Sequence, residues 1–303
     1  MAEKDINEKV LEDYNDVFAD IYNTLVFEDG YLREDGLSCS PTSSVYKAET
    51  GKPVEQFRDV LKTYGGANFS LMSLGIENQS GEDEVMPVRV MGYDYGTYRG
   101  MVKNKKTIIP VTTIVLNFGD KRWSKAKSLH ELMKLPKELE AYVEDYKIRV
   151  YDIAFLSDNV VEKFTSDFKI VARFFKDRRL KRNTLMNDTE AKIHHVAAVL
   201  DLFSVFTKDD SYRKVYTEAV KEKEVNEEGI DMCWIAQSLI AEGRSEGIEK
   251  GIEKGIEKGL VALIQTLKPI VPDLKEIHRM ITMNDTYAHV TEEQVRGYYE
   301  GGC

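Results

Sequence analysis

Asp59, Glu77 and Gln79 are the residues whose types and spacing best suit chemistry. Asp59 lies in Phe57-Arg58-Asp59-Val60-Leu61-Lys62, and the other two lie in Gly75-Ile76-Glu77-Asn78-Gln79-Ser80 at the end of an apolar run. Side chains alternate faces along a strand, so Ser73, Gly75, Glu77 and Gln79 share one face, while Met72, Leu74, Ile76 and Asn78 share the other. An Asp leading the preceding strand would then bring two carboxylates to one point. Mg²⁺ is often held by one or two carboxylates while it takes substrate phosphate oxygens, so the chemistry expected is phosphodiester hydrolysis. Gln79 cannot take a proton, but its amide can orient water or donate to a phosphate. By spacing alone the signal is weak, and the alternative is two exposed strand-end acids. Lys62, at an odd offset from Asp59, falls on the opposite face and is expected at the surface.

The elements that must position these residues follow from periodicity. Leu11, Tyr14, Phe18, Ile21, Tyr22 and Leu25 recur at helical spacing, which predicts an amphipathic helix over 8–27. A Ser- and Gly-containing loop over 32–53 holds at most a short strand at 44–48. Strands over 56–64 and 69–79, joined by Gly65-Gly66-Ala67-Asn68, read as an antiparallel hairpin. Residues 85–102 read as a helix crossing the sheet, with Val88, Met91, Tyr95, Tyr98 and Val102 at helical spacing and Pro87 in its first turn. Further strands are expected at 108–118 and 148–156, separated by a helical stretch around 129–146. From Asn159 onward no strand is predicted, and helices are expected at 159–182, 189–206, 211–223 and 230–267.

At 246–259 the chain repeats Gly-Ile-Glu-Lys. A four-residue period drifts by about 40° per repeat on an α-helix, so its Ile stripe winds slowly around the surface. The small residues allow close helix approach, and two readings stay open: a homo-oligomer contact or a solvent-exposed spacer.

Composition bounds the remaining possibilities. The chain has 303 residues, 42% of them hydrophobic, and a net charge of -10. That length can bury a substantial core, and the negative charge argues against a surface that binds nucleic acid throughout. The basic residues are clustered, however: Arg99 to Lys106, Lys121 to Lys127, and Lys169 to Arg182. Within the third cluster, Arg178, Arg179, Lys181 and Arg182 are the candidate DNA contacts, the alternative being a solvated face. No apolar run reaches the ~20 residues of a membrane span, and the start resembles no signal peptide, which predicts a cytoplasmic protein. Cys39, Cys233 and Cys303 lack zinc-ligand spacing and are expected as reduced thiols. His194-His195 are read as helix-face residues, since no nucleophile elbow accompanies them.

Several segments in order then resemble the recombination-promoting nuclease / putative transposase family: Phe18-Ala19-Asp20-Ile21-Tyr22-Asn23, Arg58 to Lys62, Leu74 to Ser80, Met86-Pro87-Val88-Arg89 with Tyr93, and Ile109-Pro110-Val111. That family belongs to the PD-(D/E)xK nuclease superfamily. The resemblance implies an α/β, restriction-endonuclease-like core, a mixed sheet flanked by helices, over 8–185, followed by an all-helical part over 186–303. It implies a Mg²⁺-dependent DNA endonuclease, Mn²⁺ being the other candidate metal, with Asp59 and Glu77 as metal ligands. Gln79 stands where the superfamily usually has Lys. Asp20 and Arg89 are accessory candidates, Asp20 reading also as a capping acid. The alternative is a catalytically degenerate nuclease fold acting as an assembly module.

Overall fold

The computed structural model describes residues 11–27, 30–47, 53–66, 69–182, 192–222, 224 and 229–300; the side chains of 43–47, 53–57, 69 and 246 are outside that description. Residues 8–10 of the expected first helix, 48 of the expected short strand, Ala67 and Asn68 of the turn, 189–191, 223 and Cys303 also lie outside the described residues.

In the unit Met1–Gln237 the chain runs α1 (Asn15–Leu25), β1 (Leu37–Cys39), β2 (Ser43–Lys47), β3 (Pro53–Phe57), β4 (Val60–Gly66), β5 (Phe69–Gln79), α2 (Met86–Lys103), β6 (Val111–Asn117), α3 (Leu129–Met133) and β7 (Arg149–Asp152). It continues through α4 (Asp158–Val161), α5 (Phe168–Leu180), β8 (Lys192–Ile193), α6 (Val196–Thr207), α7 (Ser211–Glu222) and β9 (Ile230–Asp231) to α8 (Met232–Leu267). Five strands form one sheet in the order β1-β4-β5-β6-β7. β4 pairs antiparallel with β1 and β5, while β5-β6 and β6-β7 pair parallel. The long α2 makes the crossover that a parallel β5-β6 pair requires. This is a mixed sheet flanked by helices, as expected.

Alternation assigns the two sheet faces. Ile76 pairs with Ile114 and Lys62 with Leu74, and this face receives Phe18 and Tyr22 of α1 and, through Phe118, Phe168 and Phe175 of α5. The other face carries Ser73, Gly75, Glu77, Thr113 and Val115, and α2 covers it through Met86, Val90, Tyr93 and Asp94. Buried Phe174 and Phe203 stack at 4.0 Å, which joins α6 to α5 and so to the sheet unit. The boundary expected at 185/186 therefore falls inside the first compact unit.

Several expectations are corrected. Lys62 lies on the face opposite Asp59's but is fully buried: its Nζ donates to the Asp13 carbonyl at 2.7 Å and to Asn15 Oδ1 at 2.9 Å, which replaces its hydration. On α2, Val88, Tyr95 and Val102 are exposed and the helix turns Val90, Tyr93, Asp94 and Met101 inward. The stretch 129–146 is helical only at α3 and a 3₁₀ turn, Lys137–Tyr142. The last sheet strand stops at Asp152 and passes into a 3₁₀ turn, Ile153–Phe155. The helix expected over 159–182 is interrupted between α4 and α5. A short pair, β8-β9, does occur after Asn159, and His194-His195 precede α6 instead of lying on a helix. There Asp167 accepts from both backbone N–H groups, and His195 Nε2 meets Asp16.

The second unit, Ser238–Cys303, contains the rest of α8, then α9 (Leu274–Thr282) and α10 (Glu292–Glu300). Leu260, Ile264, Ile277, Ile281, Val290 and Val295 form its core. A Cβ on Gly259 would stand 2.5 Å from the Tyr287 hydroxyl, so that glycine admits a close approach. Farther up the repeat, Ile248 and Ile252 are exposed. Among the described residues no helix is long and apolar enough to cross a membrane. Cys39 and Cys233 are free.

Candidate active site

The antiparallel register pairs Val60 with Ile76, so Asp59, one residue earlier, faces Glu77 at the end of β5. Asp59 is held there by its Oδ2, which accepts the backbone N–H of Asn78 at 2.7 Å. Glu77 is 1% exposed, pressed between β5 and α2. Its Oε1 accepts from Arg89 Nη2, from Gln79 Nε2 at 3.2 Å and from the Tyr93 hydroxyl at 3.3 Å. Its Oε2 is buried with no hydrogen-bond partner.

Burial, and then the charge of Asp59, push the Glu77 carboxyl up to about 8; Arg89 and Tyr93 act in the opposite direction. The Tyr93 hydroxyl is pushed up to about 12, first by burial and then by Glu77, so it remains a donor at neutral pH. Arg89 also donates to Asp83 at 2.7 Å, which fixes its guanidinium across the start of α2. The residues that could hold a divalent cation are Asp59 and Glu77. Among the described residues, no group of three or more His, Cys, Asp or Glu is arranged to do so.

Asp20 stands apart from this pair. Its carboxylate accepts from the backbone N–H and hydroxyl of both Thr165 and Ser166, which ties α1 to the segment leading into α5.

Four further polar residues at the site were not singled out from the sequence. Glu12, 1% exposed, accepts from Asn78 Nδ2 on the face opposite Glu77, and its position beside Leu11 carried no signal. Arg58, also 1% exposed, donates from Nη2 to Asp94 Oδ1 at 2.7 Å. Asp94 further accepts from the Thr113 hydroxyl at 2.6 Å and from Tyr146. Breaking such a buried pair on one side costs about 3–5 kcal/mol. Tyr93 and Asp94 on a helix already carrying Arg89 were the available hint, since Arg89 and Tyr93 are one turn apart.

The third basic cluster divides. Lys169 and Arg173 pair with Glu162, and Lys176 pairs with Asp158. Arg178 donates to the Phe206 carbonyl at 2.8 Å and Arg179 to the Ala154 carbonyl at 2.9 Å. Arg179 and Arg122 both lie over the Phe155 ring, at 4.4 and 4.7 Å. Lys181 and Arg182 are exposed. A cleft of about 400 Å³ runs from Arg178, Arg179 and Lys181 to Gly119, Asp120 and Ser80, the neighbour of Gln79.

A mixed five-stranded sheet with helices on both faces and an acidic pair at a strand end defines an α/β core with a carboxylate site. Residues 60–208 of that core match the family model described as "Putative transposase, YhgA-like", so this stretch of the chain is similar to that family. No curated protein and no solved structure matches the chain.

Proposed function

We propose that the chain is a divalent-cation-dependent DNA endonuclease, with Asp59 and Glu77 as the ligands of Mg²⁺ or Mn²⁺. The observation that carries the proposal is Glu77: a buried carboxylate with one oxygen unpartnered, set beside a second acid that raises its pKa. Two acids held together in this way fit a dication, and two carboxylates are enough where waters and phosphate oxygens complete the shell. The family's description links it to mobile elements, and the resemblance to PD-(D/E)xK nucleases adds support for cleavage.

When bound, the cation would polarise the phosphate and acidify water. The protein's own groups do the rest. Glu77 sheds the proton it carries at neutral pH, while Arg89 stays on Oε1 and keeps Oε2 aimed. Gln79, hydrogen-bonded to Glu77, orients water without taking its proton. The exposed Lys181 and Arg182, beside the cleft that reaches Ser80, hold the DNA backbone.

Gln79 in the usual Lys position favours a second reading, a catalytically silent assembly module. In that case the exposed Ile248 and Ile252 of α8 would face another copy. Incubating the full chain with labelled single- and double-stranded DNA separates the two. Cleavage with Mg²⁺ or Mn²⁺ but not with EDTA is expected; no cleavage by a folded, metal-binding sample would overturn the nuclease reading.

A further inference from the structure

Two apolar stripes run along α2. One, with Met86, Val90, Tyr93 and Met101, is buried toward the sheet. The other consists of Val88, Met91, Tyr95, Tyr98 and Val102, and no described residue covers it: Val88 is 43%, Tyr95 60% and Val102 61% exposed, with Met91 and Tyr98 half-buried. At about 100° of rotation per residue, this second stripe spans roughly 80° of the helix and lies well away from the buried one. Its Tyr98 ring is fixed, since the hydroxyl accepts the Val111 backbone N–H at 3.1 Å.

Steps alternating between three and four residues are those of the a and d positions in a coiled-coil seam. Tyr and Met are also residues that protein interfaces favour. The ends of α2 say which partner fits. Glu82 and Glu84 are exposed just before its first turn, and Arg99, Lys103, Lys105 and Lys106 are exposed toward and beyond its last. A second copy of α2 laid antiparallel sets the acidic end of each helix against the basic end of the other, whereas a parallel copy would set like charges together. Pairing Met91 of one copy with Tyr95 of the other then puts Val88 against Tyr98, and Glu84 beside Val102 and Lys103, at both ends by two-fold symmetry.

We infer that the outer stripe of α2 is an interface between two copies of this chain, packed antiparallel about a two-fold axis. Arg89 and Tyr93 reach Glu77 from the first half of the same helix, so the pair holds its two Glu77 sites toward opposite ends of the seam. The interface stands whether or not the chain cleaves DNA.

Sedimentation velocity of the full chain across micromolar concentrations tests it, and a dimer is expected. Tyr95→Glu and Val102→Glu, both at exposed positions, should each halve the mass with the far-ultraviolet circular dichroism unchanged. Ile248→Glu with Ile252→Glu, on the exposed part of α8, should leave the mass as it is. Charge exchange tests the orientation. Glu82→Lys with Glu84→Lys, and Lys103→Glu with Lys106→Glu, should each shift the chain toward monomer alone and return to dimer when mixed in equal amounts, because only the mixture restores opposite charges at both ends. A monomer at every concentration, an unchanged mass in both Tyr95→Glu and Val102→Glu, or a mass halved only by the Ile248 and Ile252 changes would overturn the proposal. A mixture of the charge variants that stays monomeric would exclude the antiparallel pairing and overturn it as well.

Discussion

Arg89 donates to the same Oε1 of Glu77 that Gln79 and Tyr93 reach, so every hydrogen bond to that carboxylate falls on one oxygen and Oε2 is left without a partner. Arg89 therefore offsets the charge of Glu77 without covering the oxygen that faces away from it. Arg89→Ala removes the main influence that lowers the Glu77 pKa. The pH midpoint of Mn²⁺ binding, followed by electron paramagnetic resonance, should rise by about 1–3 units. Arg89→Lys should keep most of the wild-type midpoint; equal midpoints in all three proteins would show that Arg89 does not set it.

Glu77 in the folded chain holds its proton up to about pH 8, against 4.5 ordinarily. Between those values the folded state binds more protons than the unfolded state, so stability falls as pH rises across that window, by at most about 1.4 kcal/mol per unit. Glu77→Gln abolishes that contribution. In urea denaturation with EDTA, the wild type should lose more stability than Glu77→Gln between pH 5 and pH 8. Parallel losses would mean that the carboxyl is not neutral when buried.

Asp20 accepts four hydrogen bonds from Thr165 and Ser166, and these hold α1 against the approach to α5. Asp20→Ala should destabilise the chain by about 3 kcal/mol, several charge-assisted bonds being lost at once. Mn²⁺ affinity at a temperature where the variant is folded should be unchanged. An affinity loss without a stability loss would move Asp20 into the metal site.

Lys181 and Arg182 are exposed, whereas Lys169, Arg173 and Lys176 are paired with Glu162 and Asp158. Charge reversal at Lys181 and Arg182 should weaken DNA binding and flatten its log–log salt dependence by about 0.9 for each phosphate contact removed. Lys169→Ala and Arg173→Ala should change the slope little. Indistinguishable slopes in the two sets would make the whole cluster a solvated face.

Strand β5 was legible because both of its faces are constrained: Leu74 and Ile76 pack against one layer while Glu77 meets Arg89 and Tyr93 in the other. Alternation alone therefore put Glu77 and Gln79 together, as their hydrogen bond shows. Lys62 was misread because its charge is satisfied by Asp13 and Asn15, more than forty residues away in sequence. The buried face of α2 was misjudged for a related reason. Arg58, Glu77 and Thr113 need polar partners, so α2 turns Arg89, Tyr93 and Asp94 toward the sheet and leaves Val88, Tyr95 and Val102 outside. Hydrophobic periodicity finds such a helix but cannot show that its sheet-facing side is the polar one.

Nicking of supercoiled plasmid by wild type, Asp59→Asn and Glu77→Gln, each with Mg²⁺, Mn²⁺ or EDTA, tests the central claim most directly. Nicking by the wild type with either metal is expected, with none in EDTA and a loss of about 10²-fold or more in both variants, as when a transition-state contact is removed. Nicking that survives both substitutions, or that persists in EDTA, would contradict it.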